Sequence, residues 1–143
     1  MRHVNKIELC QRVGSLLDYV IDGRALAAHL HSRGHEAIDF VSPFGTTSRE
    51  FESRVASWLL LRASPPLPTG RIPLMFCPRC GDLGCGAVSA VIERADGCFF
   101  WKDFGFESPT SDSVELKRYE HVRGFIFSEH DYTETFGRYF AHC

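Results

Sequence analysis

At 143 residues, with 44% hydrophobic residues and twelve phenylalanines, the chain can bury roughly 70% of its unfolded surface in one domain without covalent staples. A formal net charge of −2, with no lysine/arginine stripe, excludes a phosphate-tracking surface for nucleic acid. The chain has no apolar run of about 18 residues and no apolar block after Met1, so no membrane is expected and the cytoplasm is the expected compartment.

In chain order, Ile7, Leu9 and Val13 alternate with charged residues as a half-buried strand does. Gly14-Ser15 is expected as a two-residue type II′ turn into a returning strand over 16–21. Asp22 stands where an N-cap belongs, ahead of a helix predicted over 24–33, with Leu26 and Leu30 on one face and Gly34 as its stop. Residues 38–41 read as a short strand closed by the Ser42-Pro43-Phe44-Gly45 turn. Thr47 and Glu50 form a capping-box signature, and Phe51, Val55, Trp58 and Leu59 recur at helical spacing behind it, predicting a helix over 48–62. Pro65, Pro66 and Pro68 close that helix.

Strands are expected over 71–77, 86–95 and 98–106, the last two joined by an Asp96-Gly97 type I′ turn. This turn pairs Ala95 with Cys98, Ile92 with Trp101, Ala90 with Asp103 and Ala87 with Phe106. Residues 107–113 form an acidic loop. Residues 125–127 make a final short strand, and Ser128 with Asp131 caps a helix that buries Tyr132, Phe136, Tyr139 and Phe140. The whole is a single α+β domain over 1–143, with a mostly antiparallel sheet and about three helices.

The chemistry concentrates in a Cys-rich turn at 77–86, which holds three of the six cysteines. Cys77-x-x-Cys80-Gly81 has the form of a metal knuckle, and Cys85 supplies a third sulfur. Zinc prefers four ligands, and Glu107, Asp82 and His121 are the candidates for the fourth. Cys98 is excluded, because the hairpin places it about 30 Å along the strand. The alternatives are a glycine turn carrying reduced thiols and a thiol-redox site. The latter lacks the following helix whose N-terminus would lower a thiol pKa. Reducing surroundings and the tight spacing favour thiols or metal ligands over disulfides.

His29 and His31 cannot share one helix face, and His35-Glu36 lacks the second histidine of the zinc-protease motif, so these read as solvated helix-end side chains. The chain shows no phosphate-binding glycine loop, nucleophile elbow or paired-carboxylate signature. Asp103, Glu107 and Asp112 are therefore the candidates for a partner-binding surface.

The string Cys77-Pro78-x-Cys80-Gly81-Asp82-Leu83-Gly84-Cys85-Gly86, followed by Trp101-x-Asp103-Phe104 and Glu107, resembles a group of small uncharacterised bacterial proteins. These share a Cys-x-x-Cys-Gly-Asp-x-Gly-Cys-Gly turn and a Trp-x-Asp-Phe strand. The resemblance covers about residues 70–108, and the present chain has Phe106-Glu107-Ser108 where the group prefers Tyr-Glu-Asn. It implies a non-enzymatic protein-binding domain of the kind that acts as an immunity protein, inhibiting a bacterial toxin. The alternatives from the residues are a thiol- or metal-dependent oxidoreductase centred on Cys77, Cys80 and Cys85, and a zinc-stapled structural module.

Overall fold

A computed structural model describes residues 4–12, 14–31, 39–79, 83–110 and 113–140. Two antiparallel sheets and three helices make up the expected single α+β arrangement among these residues. The first sheet holds β1 (Ile7–Gln11), β2 (Leu17–Ile21) and β3 (Arg24–Ala25), in that order. The second holds β4 (Ile72–Phe76), β5 (Ala87–Ala95), β6 (Cys98–Glu107) and β7 (Phe125–Ser128), also in sequence order. The helices are α1 (Leu26–Leu30), α2 (Arg49–Leu59) and α3 (Glu129–Gly137).

Turn chemistry explains the departures from expectation in the first sheet. Asp22 is not an N-cap. Asp22 and Gly23 have φ of 53° and 81°, the two positive values of a type I′ turn, and they pair Ile21 with Arg24. The expected helix over 24–33 thus loses its start to β3; among the described residues α1 covers Leu26–Leu30, and residues 32–34 of that expectation lie outside them. Between β1 and β2 the loop is longer than two residues, since Gln11 pairs Leu17 and Arg12 N donates to Leu16 O at 2.9 Å.

The cap of α2 is Ser48 and not Thr47. Ser48 Oγ accepts from Phe51 N at 3.1 Å, while Thr47 Oγ1 donates to Pro43 O at 2.8 Å. The helix ends before the prolines, in a Schellman turn: Arg62 N donates to Ser57 O and Leu61 N to Trp58 O. The left-handed position falls on Leu61, φ 59°, where glycine is usual. Ser128 caps α3 as expected, accepting from Asp131 N at 3.2 Å.

The core lies between the two sheets and under α2 and α3. Tyr132 of α3, fully buried, stacks on Phe99 of β6 with ring centroids 4.1 Å apart. Its hydroxyl accepts from Trp101 Nε1 at 2.9 Å and donates to Leu59 O at 2.7 Å, so one buried oxygen ties β6, α3 and α2 together. Burial without such partners costs a hydroxyl several kcal/mol, about 1–3 by mutational measure. Tyr19 of β2 links the sheets in the same way, donating to Leu74 O at 2.8 Å. The ladder between β4 and β5 shifts between Pro73 and Met75, so this bond satisfies a carbonyl at the irregularity.

Candidate functional site

The Cys-rich turn hangs between the end of β4 and the start of β5, where Phe76 pairs Ala87. Val41 bridges Phe76 on the other side, Val41 N donating to Phe76 O at 2.9 Å and Phe76 N to Val41 O at 2.7 Å. Gly86 closes the turn at φ +93°, and a Cβ there would stand 2.8 Å from Glu107 O and 2.9 Å from the Phe106 ring. Only glycine meets both demands.

The hairpin β5–β6 keeps the expected register from its turn as far as Val91 opposite Lys102. It then slips. Between Ser89 and Val91 the ladder shifts by one residue, so Ala87 faces Glu107 and not Phe106. The extra residue sits at Asp103, whose φ is 53°, a bulge built on a left-handed aspartate in place of the usual glycine. Since successive side chains take opposite faces, one extra residue sends Glu107 inward.

Inside, Glu107 meets Arg71 at the threshold of β4. Arg71 Nε lies 3.1 Å from Glu107 Oε2 and 3.0 Å from Ser89 Oγ. Ser89 Oγ also donates to Glu107 Oε2, and Thr69 Oγ1 donates to Glu107 Oε1 at 2.6 Å. Arg71 Nη2 donates to Ser89 O at 3.3 Å and to Asp103 O at the bulge. Both ionised side chains are nearly out of solvent, at 9% and 0% exposure. Burial lowers the Arg71 pKa, and the Glu107 charge pulls it back up. The pair therefore needs hydrogen bonds to offset desolvation, and both Glu107 oxygens and the Arg71 Nε and Nη2 have them.

The sequence-derived site residues separate in space or in kind. Glu107 is taken by Arg71, Ser89 and Thr69, a role unlike the metal ligand or partner contact expected of it. Asp103 is exposed beside the bulge. His121 is exposed in the turn that follows residues 117–119. Cys80, Asp82 and Asp112 lie outside the described residues. Cys77 is a free, half-buried thiol on the wall of a pocket of about 300 Å³ that also takes in Ser42, Thr46, Thr47 and Pro78. Cys85 is disulfide-bonded, which corrects the expectation of free thiols or metal ligands throughout the turn. In that state its sulfur has no thiolate to give a metal. Among the described residues, no three His, Cys, Asp or Glu side chains gather closely enough to hold an ion.

Cys98 sits opposite Ala95 at the far end of the hairpin, as expected. His29 departs from the solvated reading: it is half-buried, its Nε2 is 2.9 Å from Ile21 O, and its ring meets Phe125 edge-on at 5.0 Å. Sequence reasoning missed Arg71, Ser89 and Thr69. The available signal was a charged residue and a serine set inside or against the buried runs of β4 and β5 (all five residues of β4 are buried), where an unpaired charge is too costly to keep.

Among the described residues no helix is long and apolar enough to cross a membrane. Neither a protein family, nor a curated protein, nor a solved structure matches this chain.

Proposed function

We propose that the chain is a non-enzymatic protein-binding domain of the immunity type, acting in the cytoplasm to occlude a bacterial toxin. The observation that carries this reading is the occupancy of the Glu107 carboxylate. Its oxygens are spent on Arg71, Ser89 and Thr69, so the charged centre of the region works as a brace for the backbone. What the brace supports is a fixed surface: Asp103 turned outward at the bulge, and residues 114–116 laid against Gly105, where a Cβ would strike Val114 and Leu116. Leu116 is 45% exposed and Glu115 is exposed next to it, the mixture of apolar anchor and polar rim that binding surfaces use. The toxin assignment follows from the resemblance of the turn and the Trp-x-Asp-Phe strand.

Affinity capture from a bacterial host carrying the gene tests the reading. One protein encoded beside it should be retained stoichiometrically and released by Asp103→Arg with Leu116→Glu. Retention unaffected by both changes would remove this surface from the account.

A second reading has its own observation: a free thiol at Cys77 shares the turn with the disulfide-bonded Cys85. A thiol-dependent oxidoreductase would use that pair. Its test is the pH dependence of Cys77 alkylation, which must level off well below the ordinary thiol pKa of about 8.5; a rate that keeps rising to that value excludes it.

A further inference from the structure

The edge of β1 beside α3 has no part in the readings above. β1 is the outer strand of its sheet. Asp22 N donates to Lys6 O and Arg12 N to Leu16 O, both at 2.9 Å, and the register between them sets Glu8 opposite Val20 and Cys10 opposite Asp18. In an antiparallel ladder hydrogen-bonded pairs alternate with unbonded ones. The even-numbered residues of β1 therefore bond to β2, and the backbone N–H and C=O groups of Ile7, Leu9 and Gln11 point away from it.

Just ahead of β1 this outer edge already takes a strand. Asn5 bridges Phe127 in parallel, with Asn5 N donating to Ile126 O at 2.6 Å. β7 then ends at Ser128, and the chain turns into α3, which runs beside the edge without pairing to it. Between them lies a groove of about 340 Å³, lined by residues 6–9 and by Asp131, Glu134, Thr135 and Arg138. Consecutive strand residues line a groove only where it is entered from the strand's edge, since each face takes alternate residues. Thr135 Oγ1 reaches Ile7 O at 3.5 Å. Among the described residues, the outward backbone groups of Leu9 and Gln11 have no partner.

We propose that this edge takes up an extended segment of a partner polypeptide as an added strand outside β1, with alternate side chains seated against α3. The proposal rests on the protein-binding reading and names its mode. The charge of the groove selects the segment. Its lining carries three acids, Glu8, Asp131 and Glu134, and two bases, Lys6 and Arg138, and the Arg138 guanidinium already lies over the Tyr139 ring, 5.4 Å from its centre. A segment that alternates apolar residues with lysine or arginine fits. A second copy of this chain does not, because its own β1 is flanked by its own α3, and two such edges cannot close to the strand spacing of about 4.8 Å.

Twelve-residue peptides selected by phage display on the folded chain, then resynthesised, test the proposal. The selected peptides should carry lysine or arginine and slow hydrogen exchange at the Leu9 and Gln11 amides of the unmodified chain. They should bind at least tenfold more weakly to Gln11→Pro, which deletes an outward N–H and no bond to β2, and equally well to Gln11→Ala. Failure to select any peptide would overturn the proposal. So would peptides that leave both amides exchanging as before, or protection of those amides that depends only on self-association. A native partner held equally well by Gln11→Pro and Gln11→Ala would remove the edge while leaving the protein-binding reading intact.

Discussion

Arg71 and Glu107 form an ion pair 3.1 Å long inside the second sheet, and the same arginine holds the Asp103 carbonyl at the bulge of β6. Removing one partner strands a buried charge. Glu107→Gln or Arg71→Met should each cost about 3–5 kcal/mol, read as a lower urea midpoint. The double change Arg71→Met, Glu107→Leu should recover part of that loss, since no charge is left unpaired. It should not recover all, because the Ser89 and Asp103 carbonyls lose their donor. A double variant less stable than both singles would show that the pair is not the brace described.

Two left-handed positions should respond in opposite directions. Gly86→Ala brings a Cβ to 2.8 Å from Glu107 O at φ +93°, and should destabilise by about 1–3 kcal/mol. Leu61, 40% exposed at φ 59°, stands in the glycine position of the Schellman turn. Leu61→Gly relieves roughly 1–2 kcal/mol of backbone strain against roughly 0.5–1 of added chain entropy. Thermal melting should therefore show a rise for Leu61→Gly and a fall for Gly86→Ala.

Alkaline pH should unfold the protein through its core tyrosines. Burial raises the Tyr19 hydroxyl pKa well above its ordinary value, with Tyr132 and Tyr139 adding to the rise. Burial also raises that of Tyr132, against a smaller pull from the Trp101 hydrogen bond. The folded chain thus keeps protons that the unfolded chain releases near pH ~10. Stability is intact below that value and falls as pH rises beyond it, by about 1.4 kcal/mol per unit for each such tyrosine. Tyrosinate absorbance from these two residues should appear together with loss of the fold. Appearance of their signal in a still-folded chain would contradict this.

Thiol accounting tests the state of the turn. Alkylation without reductant should label Cys77 and leave the exposed Cys85 untouched. After reduction Cys85 should label as well, read by peptide mass. Labelling of Cys85 at the outset would place it among the free thiols.

Much of this architecture is legible in the residues, because local chemistry dictates it. Asp96-Gly97 fixes its hairpin with φ of 53° and 75°, and Ser128 caps α3. The same Asp-Gly signal at residues 22–23 was open to an N-cap reading, since aspartate serves both roles. The bulge at Asp103 was not legible. An aspartate in left-handed conformation leaves no mark that glycine would, yet one extra residue turns the Glu107 side chain inward to Arg71. The partner itself lies 36 positions away, a separation over which spacing carries no information. The Cys turn was found as a motif, but only the packing of Gly86 against β6 gives a physical reason for one of its glycines.

As proposed, this chain neutralises a protein partner by binding it. The most direct test expresses the neighbouring gene product alone and together with this chain, and measures growth. The account predicts arrest by the neighbour alone, restored growth on co-expression, and loss of that rescue in the Asp103→Arg, Leu116→Glu variant. Arrest that persists in the presence of the intact chain would contradict it.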